Sequence, residues 1–366
     1  MDGDFTPSFQ TIPHPAPVSD AERAALLANP DFGRVFTDHM VTIRYNKDRG
    51  WHDARVEARQ PITMDPAAAV LHYAQEIFEG LKAYHLEDGG AVLFRPDANA
   101  RRFASSAERL AMPALPEAMF VESVRQLVSV DRAWIPTGPG GSLYLRPFMI
   151  AGEAFLGVKP AAEYLYMVIA SPVGSYFKGG AKPISVWVSR DYTRAAPGGT
   201  GAAKCGGNYA ASLPAQAEAM RQGCDQVVFL DAAERRWVEE LGGMNMFFVF
   251  DDGSLQTPPL SGTILPGITR DSIITLARAK GHTVREEHYS IEKWRDDTAS
   301  GRLREAFACG TAAVIAPVGR IEDPKGSFAM PDRRANDSVA QTLRRDLTEL
   351  QRGALDDPHG WVQRVF

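Results

Sequence analysis

The fold class that this sequence predicts is α+β or mixed α/β in two domains, and three observations predict it. A chain of 366 residues is long enough for two domains sharing a sizeable core. Strand-like and helix-like patterns mix along it without strict βαβ alternation. Near the middle the pattern breaks at Ser171-Pro-Val-Gly-Ser-Tyr-Phe-Lys-Gly-Gly180, a turn-rich stretch suited to an interdomain connection. The expected boundaries are therefore a smaller α/β domain over residues 1–175, a connecting loop over 176–182, and a larger domain over 183–366.

Each element has a local reason. Residues 1–18 carry four prolines and little periodicity, so an extended arm is expected. Ser19-Asp-Ala-Glu22 reads as a capping box that opens a short helix through Leu27. Asp65-Pro66, an acid followed by proline, reads as the start of a second helix. Residues 97–111 and 116–130 carry helical apolar spacing. Ala91–Phe94, Ser142–Ile150 and Tyr164–Ala170 read as strands. Beyond the break come strands at Ile184–Ser189, Gln226–Leu230, Met244–Phe250 and Ala312–Val318, and helices at Tyr209–Arg221, Ile268–Lys280 and Ser338–Gln351.

Composition narrows the function. With 45% hydrophobic and 23% charged residues the chain is an ordinary soluble globular protein. A net charge of −5, with no run of Lys or Arg, gives no footprint for nucleic acid. The N-terminus, Met1-Asp-Gly-Asp-Phe-Thr-Pro, lacks the basic and apolar regions of a signal peptide, and no apolar stretch is long enough to span a bilayer. Cys205, Cys224 and Cys309 are too few and too scattered for a disulfide framework or a metal site. A reduced cytoplasmic enzyme that holds no metal is the expectation.

The chemistry concentrates in Arg194-Ala-Ala-Pro-Gly-Gly-Thr-Gly-Ala-Ala-Lys204-Cys-Gly-Gly-Asn-Tyr209, where two glycine clusters flank one lysine. Glycine lets backbone approach a ligand closely. A lysine in such a pocket can become a nucleophilic amine that forms Schiff bases. A phosphate-binding P-loop fits less well. Gly198 and Lys204 have its spacing, but Ala203 replaces the second glycine and Cys205 replaces the metal-binding hydroxyl residue. A glycine-rich surface loop carrying a solvated lysine is the plain alternative.

Six further segments join the lysine motif: His72-Tyr-Ala-Gln-Glu-Ile-Phe78-Glu-Gly80, Phe94-Arg-Pro-Asp-Ala-Asn-Ala-Arg-Arg102-Phe, Leu143-Tyr144-Leu-Arg146-Pro, Glu239-Glu240-Leu-Gly-Gly-Met244-Asn245, Pro258-Pro-Leu-Ser-Gly-Thr263-Ile-Leu-Pro-Gly267 and Cys309-Gly-Thr311-Ala-Ala313. In this order they closely resemble the branched-chain amino acid aminotransferases among the fold type IV pyridoxal-phosphate enzymes. The likeness runs from about Gly33-Arg-Val-Phe36-Thr-Asp-His39 to Ala316-Pro-Val, most of the chain.

The resemblance implies a two-domain fold with the cofactor, pyridoxal 5′-phosphate, at the domain interface, and a homodimer. It implies that Lys204 forms the Schiff base. Phosphate contacts fall to Arg102, Arg194, Thr263, Ile264 (through backbone) and Thr311, in keeping with the match of arginine and of backbone nests to phosphate. Tyr209 meets the cofactor's phenolic oxygen, and Glu240 its pyridine nitrogen, while Glu239 is expected to be exposed. Phe36, Tyr73, Phe78 and Tyr176 supply apolar walls, and Tyr144 with Arg146 completes the side-chain pocket, Arg146 meeting the distal carboxylate of glutamate. The amides of Ala312 and Ala313 take the substrate α-carboxylate, aided by Tyr73.

The activity implied is reversible, ping-pong transfer of the amino group between leucine, isoleucine or valine and 2-oxoglutarate, so that the partners are amino acids and 2-oxo acids. Ala313 and Ala316 stand where mammalian members carry a redox-active Cys-x-x-Cys pair, so no such switch is expected. A D-amino acid aminotransferase, an aminodeoxychorismate lyase and a nucleotide-binding module without catalysis are the alternatives.

Overall fold

A computed structural model of the chain describes residues 8–174, 182–331 and 338–366. Tyr176 and all of the expected connecting loop except Lys182 lie outside the described residues. The chain separates into two compact units. One comprises Met1–Tyr176, Ala203–Gly206 and Leu350–Phe366, and the other Phe177–Ala202 with Gly207–Glu349. The expected boundary at residue 183 places Ala203–Gly206 and Leu350–Phe366 in the C-terminal domain. They group with the first because their hydrogen bonds run to its strands and helices.

The first unit contains β1 (Gln10–Thr11), α1 (Asp20–Leu27), β2 (His39–Asn46), β3 (Gly50–Ala58), α2 (Ala69–Tyr73), β4 (Glu76–Phe78), β5 (Leu81–His85), β6 (Ala91–Phe94), α3 (Pro96–Arg109), α4 (Glu117–Val130), β7 (Ser142–Ala151) and β8 (Glu163–Val173). The second contains β9 (Ile184–Ser189), all but the first residue of α5 (Gly206–Arg221), β10 (Gln226–Leu230), β11 (Val238–Leu241), β12 (Asn245–Phe250), β13 (Leu255–Thr257), α6 (Ile268–Ala279), β14 (Val284–Glu286), α7 (Ile291–Ala299), β15 (Leu303–Gly310), β16 (Val314–Glu322), β17 (Phe328–Ala329) and most of α8 (Val339–Gln351). The chain then returns to the first unit as β18 (Val362–Arg364).

Among the described residues the first unit is built on one sheet in the order β1-β3-β2-β8-β7-β5-β6-β18, with β4 on β7. β7 alternates, Leu143, Leu145 and Met149 fully buried and Tyr144, Arg146 and Phe148 less so, as the period of two requires. The buried face packs on α3 and α4, where the rings of Phe103, Phe120 and Tyr166 meet at centroid distances of 5.3–6.2 Å. Burial of each such side chain contributes about 1.5–3 kcal/mol. At the far edge, β18 pairs antiparallel with β6, Val362 opposite Phe94. In the second unit β11 pairs with both β10 and β12, which closes β11-β10-β9-β16-β15-β12 into a ring around Phe248, Tyr289 and Trp294.

Most local expectations hold. Ser19 caps α1, its hydroxyl accepting from the Glu22 amide at 3.3 Å. Asp65-Pro66 does not open a helix. The Asp65 carboxylate accepts from Ala67 N at 2.8 Å in a turn, and α2 begins at Ala69. The strand expected from Ala312 begins two residues later, because residues 311–313 form the turn between β15 and β16.

One polar clip ties β2 to the end of α4. His39 Nδ1 lies 2.7 Å from Asp131 Oδ1, and the His39 amide donates to Asp131 Oδ2 at 3.1 Å. Hydrogen bonding to Asp131 raises the His39 pKa above 6.5; burial opposes this, and the charges of Asp131 and Asp38 add to it. A folded-state value above the unfolded one means that the stabilisation is fully present below 6.5 and fades as pH rises through the folded value. His39→Gln should therefore cost stability mainly at acid pH. Melting temperatures of both proteins from about pH 5 to about pH 8 check this; a deficit that stays constant across the range would refute the assignment.

Candidate functional site

The first unit carries the lysine. β4 bonds β7 on one side, Glu76 opposite Ile150 and Phe78 opposite Phe148, and on the other it receives the lysine segment. The Phe78 amide donates to the Lys204 carbonyl at 3.0 Å, and the Lys204 amide donates to Ser106 Oγ of α3 at 3.0 Å. The Gly206 amide donates to Glu76 Oε1. A side chain at Gly206 would collide with that carboxylate, so this glycine of the second cluster has a steric cause.

Lys204 Nζ lies over the Phe78 ring at 4.7 Å from its centroid, and Arg146 Cζ lies over the same ring, also at 4.7 Å. The pairing register puts Tyr144, Arg146, Phe148, Glu76 and Phe78 on one face of the sheet. Arg146 donates to the Tyr144 hydroxyl at 2.8 Å, while its Nε is buried without a hydrogen-bond partner among the described residues. A Cβ at Gly80 would strike the Tyr144 hydroxyl, which explains the glycine between β4 and β5.

On the opposite face lies Glu79, fully buried, which sequence reasoning did not single out. Arg102 grips it with two nitrogens, Nε to Oε1 at 2.6 Å and Nη2 to Oε2 at 2.8 Å, and Asn99 donates at 2.7 Å. Burial alone would raise the Glu79 pKa, but the charge and hydrogen bonds of Arg102, helped by Lys204 and Asn99, hold it below the ordinary carboxylate value. The signal available in the sequence was the carboxylate directly before Gly80 in an otherwise apolar run. Phe36 is half-buried beneath the Arg59 guanidinium at 5.1 Å, and Tyr73, exposed, donates to the Leu156 carbonyl. Tyr176 lies outside the described residues.

The second unit holds a separate charged centre. Arg194 Nη1 meets Glu240 Oε1 at 2.8 Å and also donates to the Thr263 carbonyl at 3.1 Å. Both side chains are buried, and Glu240 further accepts from Leu265 N at 3.1 Å and Asn245 Nδ2 at 3.3 Å. Glu239 is not exposed as expected: it is only 7% accessible, and the Thr263 hydroxyl donates to it. Burial raises its pKa, against the Thr263 bond and the charge of Arg194. Adjacent residues of a strand face opposite ways, and in the ring of strands both faces of β11 are covered.

The remaining candidates belong to the same unit. Asn208 ties the glycine-rich loop to the start of α5, accepting from Thr200 Oγ1 at 2.7 Å and donating to its carbonyl at 2.8 Å. Tyr209 follows in the first turn. Ile264 is buried beside Thr263. Thr311, Ala312 and Ala313 make the β15–β16 turn, which ends with Val314 at φ 60°, a left-handed conformation costly for a β-branched residue. Cys205, Cys224 and Cys309 are free and buried, and burial pushes the Cys309 thiol up. No cluster of potential metal ligands occurs among the described residues.

Arg194→Ala should strand Glu240 as a buried, uncompensated charge and cost about 3–5 kcal/mol. Adding Glu240→Gln should return much of that loss. Chemical denaturation of wild type, both single variants and the double variant checks it; equal stability of Arg194→Ala and the double variant would contradict the pairing.

A model of the amino-transferase class IV family matches residues 76–321. The branched-chain-amino-acid aminotransferase of Mycolicibacterium smegmatis is 56% identical over 99% of this chain and 98% of its own length. That of Mycobacterium tuberculosis is 57% identical over 95% and 96%. Among solved structures, the branched-chain amino acid aminotransferase from Escherichia coli superposes with a TM-score of 0.71 at 30% identity, over 90% of this chain and 99% of that one. The T.th. branched-chain amino acid aminotransferase complexed with N-(5′-phosphopyridoxyl)-L-glutamate gives 0.68 at 29% identity, over 88% and 98%.

Proposed function

The chain belongs to the branched-chain-amino-acid aminotransferases of the amino-transferase class IV family, and we propose the reaction and residue roles that follow. It is a pyridoxal 5′-phosphate-dependent transaminase that moves an amino group between leucine, isoleucine or valine and 2-oxoglutarate. The observation that carries the residue roles is the group formed by Lys204, Phe78, Tyr144 and Arg146, a reactive amine beside a pocket with both apolar and cationic surface.

The residues fit the cofactor. Lys204 supplies the amine. Among the described residues the buried Arg194 Nε is without a hydrogen-bond partner, which suits it to an incoming anion. Arg102, Arg194, Thr263, Ile264 and Thr311 would hold its phosphate, Glu240 its pyridine nitrogen and Tyr209 its phenolic oxygen. When bound, the cofactor supplies the electron sink for charge left at the substrate Cα.

This chain's residues do the rest. The Lys204 amine would take the proton from the substrate Cα as general base and, as general acid, deliver it to the C4′ carbon of the cofactor. The Glu79 carboxylate, gripped by Arg102, balances cationic charge beside that amine. The amides of Ala312 and Ala313, with Tyr73, orient the α-carboxylate. Phe36 and Phe78 shield a branched side chain from water, whereas Arg146 meets the distal carboxylate of glutamate. The reading includes a homodimer in a reducing cytoplasm, in keeping with three free, buried thiols. No described helix is long and apolar enough to cross a membrane.

Lys204→Ala should abolish transamination and leave the far-ultraviolet circular dichroism unchanged. Borohydride treatment of the cofactor-loaded wild type should fix the label on the peptide that contains Lys204; labelling of another lysine would overturn the role. Arg146→Ala should split the half-reactions. Loss of a charge-assisted hydrogen bond of roughly 1.5–3 kcal/mol slows glutamate and 2-oxoglutarate about ten- to a hundredfold. Leucine should change far less. Single-turnover rates with each donor decide, since equal losses would mean that Arg146 serves a group common to all substrates.

A further inference from the structure

Phe78 and Arg146 have an acidic neighbour. Glu76 shares their face of the sheet, two residues before Phe78 on β4, with its carboxylate on the Gly206 amide. It is partly buried, and its charge acts on Arg146. Burial raises its pKa, opposed by the Gly206 bond and the Arg146 charge. A pocket that takes leucine as well as glutamate faces a conflict. A guanidinium bare enough to hold a distal carboxylate is a poor neighbour for an isobutyl group, because its hydration must be stripped without return. An anion on the same face offsets that cost, and weakens the hold on the dicarboxylate in proportion.

We propose that Glu76 is a specificity-determining residue of this site: its carboxylate offsets part of the Arg146 charge, so that uncharged branched substrates and dicarboxylates share one pocket. The proposal rests on the reading that Arg146 meets the distal carboxylate. A second duty follows from the same geometry. Glu76 pins the lysine segment through Gly206, where any Cβ would displace that carboxylate. The two duties separate chemically, because glutamine keeps an acceptor for the Gly206 amide and removes the charge.

The test is equilibrium binding to the holoenzyme of glutarate, a dicarboxylate probe, and 4-methylvalerate, an apolar monocarboxylate probe, by calorimetry. Glu76→Gln should tighten glutarate by about two- to fivefold, the range of a partly exposed charge pair, and leave 4-methylvalerate unchanged or weaker. In single turnover the gain should fall in the half-saturating concentration of glutamate rather than in its limiting rate. Arg146→Ala is measured alongside. If it weakens both probes alike, the reading of Arg146 fails and the proposal with it. If it weakens glutarate alone while Glu76→Gln shifts neither probe, or shifts both equally, the role of Glu76 alone is overturned.

Discussion

Three hydrogen bonds hold four residues of this chain where its chemistry requires them. Phe78 N to Lys204 O, Lys204 N to Ser106 Oγ and Gly206 N to Glu76 Oε1 make Ala203–Gly206 part of the first unit, although the chain on either side groups with the second. A lysine on an unsupported glycine-rich loop would sample many positions, since glycine loses more freedom on ordering than any other residue. With its own amide and carbonyl both bonded, the Lys204 backbone is set by β4 and α3, and only the side chain remains to be placed. The glycines are then a requirement of close approach, most plainly at Gly206.

Charge is distributed around that fixed point with little waste. Lys204 and Arg146 share one aromatic ring; Arg102 stands across the sheet on Glu79. Like charges so close would repel in a medium of low dielectric, and the Glu79 carboxylate answers Arg102. The second unit uses the same device, with Arg194 against Glu240. A buried ion pair is a weak source of stability but a strong constraint on geometry, because either partner alone is costly.

How far this was legible in the sequence depended on where polarity fell. Ala91–Phe94, Ile184–Ser189 and Gln226–Leu230 have the bounds expected, because each is a short apolar run ended by a turn or a charge. β3 escaped notice: Gly-Trp-His-Asp-Ala-Arg-Val-Glu-Ala has one fully buried side chain, and its strand character comes from pairing with β2 and β1. β11 escaped for the opposite reason. Val-Glu-Glu-Leu places two carboxylates in a wholly buried strand, and nothing nearby in the sequence announces that Arg194 and Thr263 satisfy them. The same blindness made Glu239 look exposed and Glu79 unremarkable. Motif order pointed to Lys204 and Arg146, and Tyr144, which bonds Arg146, was in the same motif; the groups that hold the Lys204 backbone, Phe78 N and Ser106 Oγ, lie far away in the chain and are visible only in three dimensions.

The pairing of β18 with β6 has a consequence for biosynthesis. Phe94 and its neighbours emerge from the ribosome more than two hundred residues before Val362 does. At roughly 5–20 residues per second, the edge of β6 stands open for on the order of tens of seconds while the whole second unit is being made. An open apolar edge invites pairing with another chain. The nascent first unit is thus an unfinished sheet for most of translation, and its completion is a long-range closure that local folding cannot hasten. Slowed elongation through the second unit would lengthen the exposure of an edge that belongs to the first.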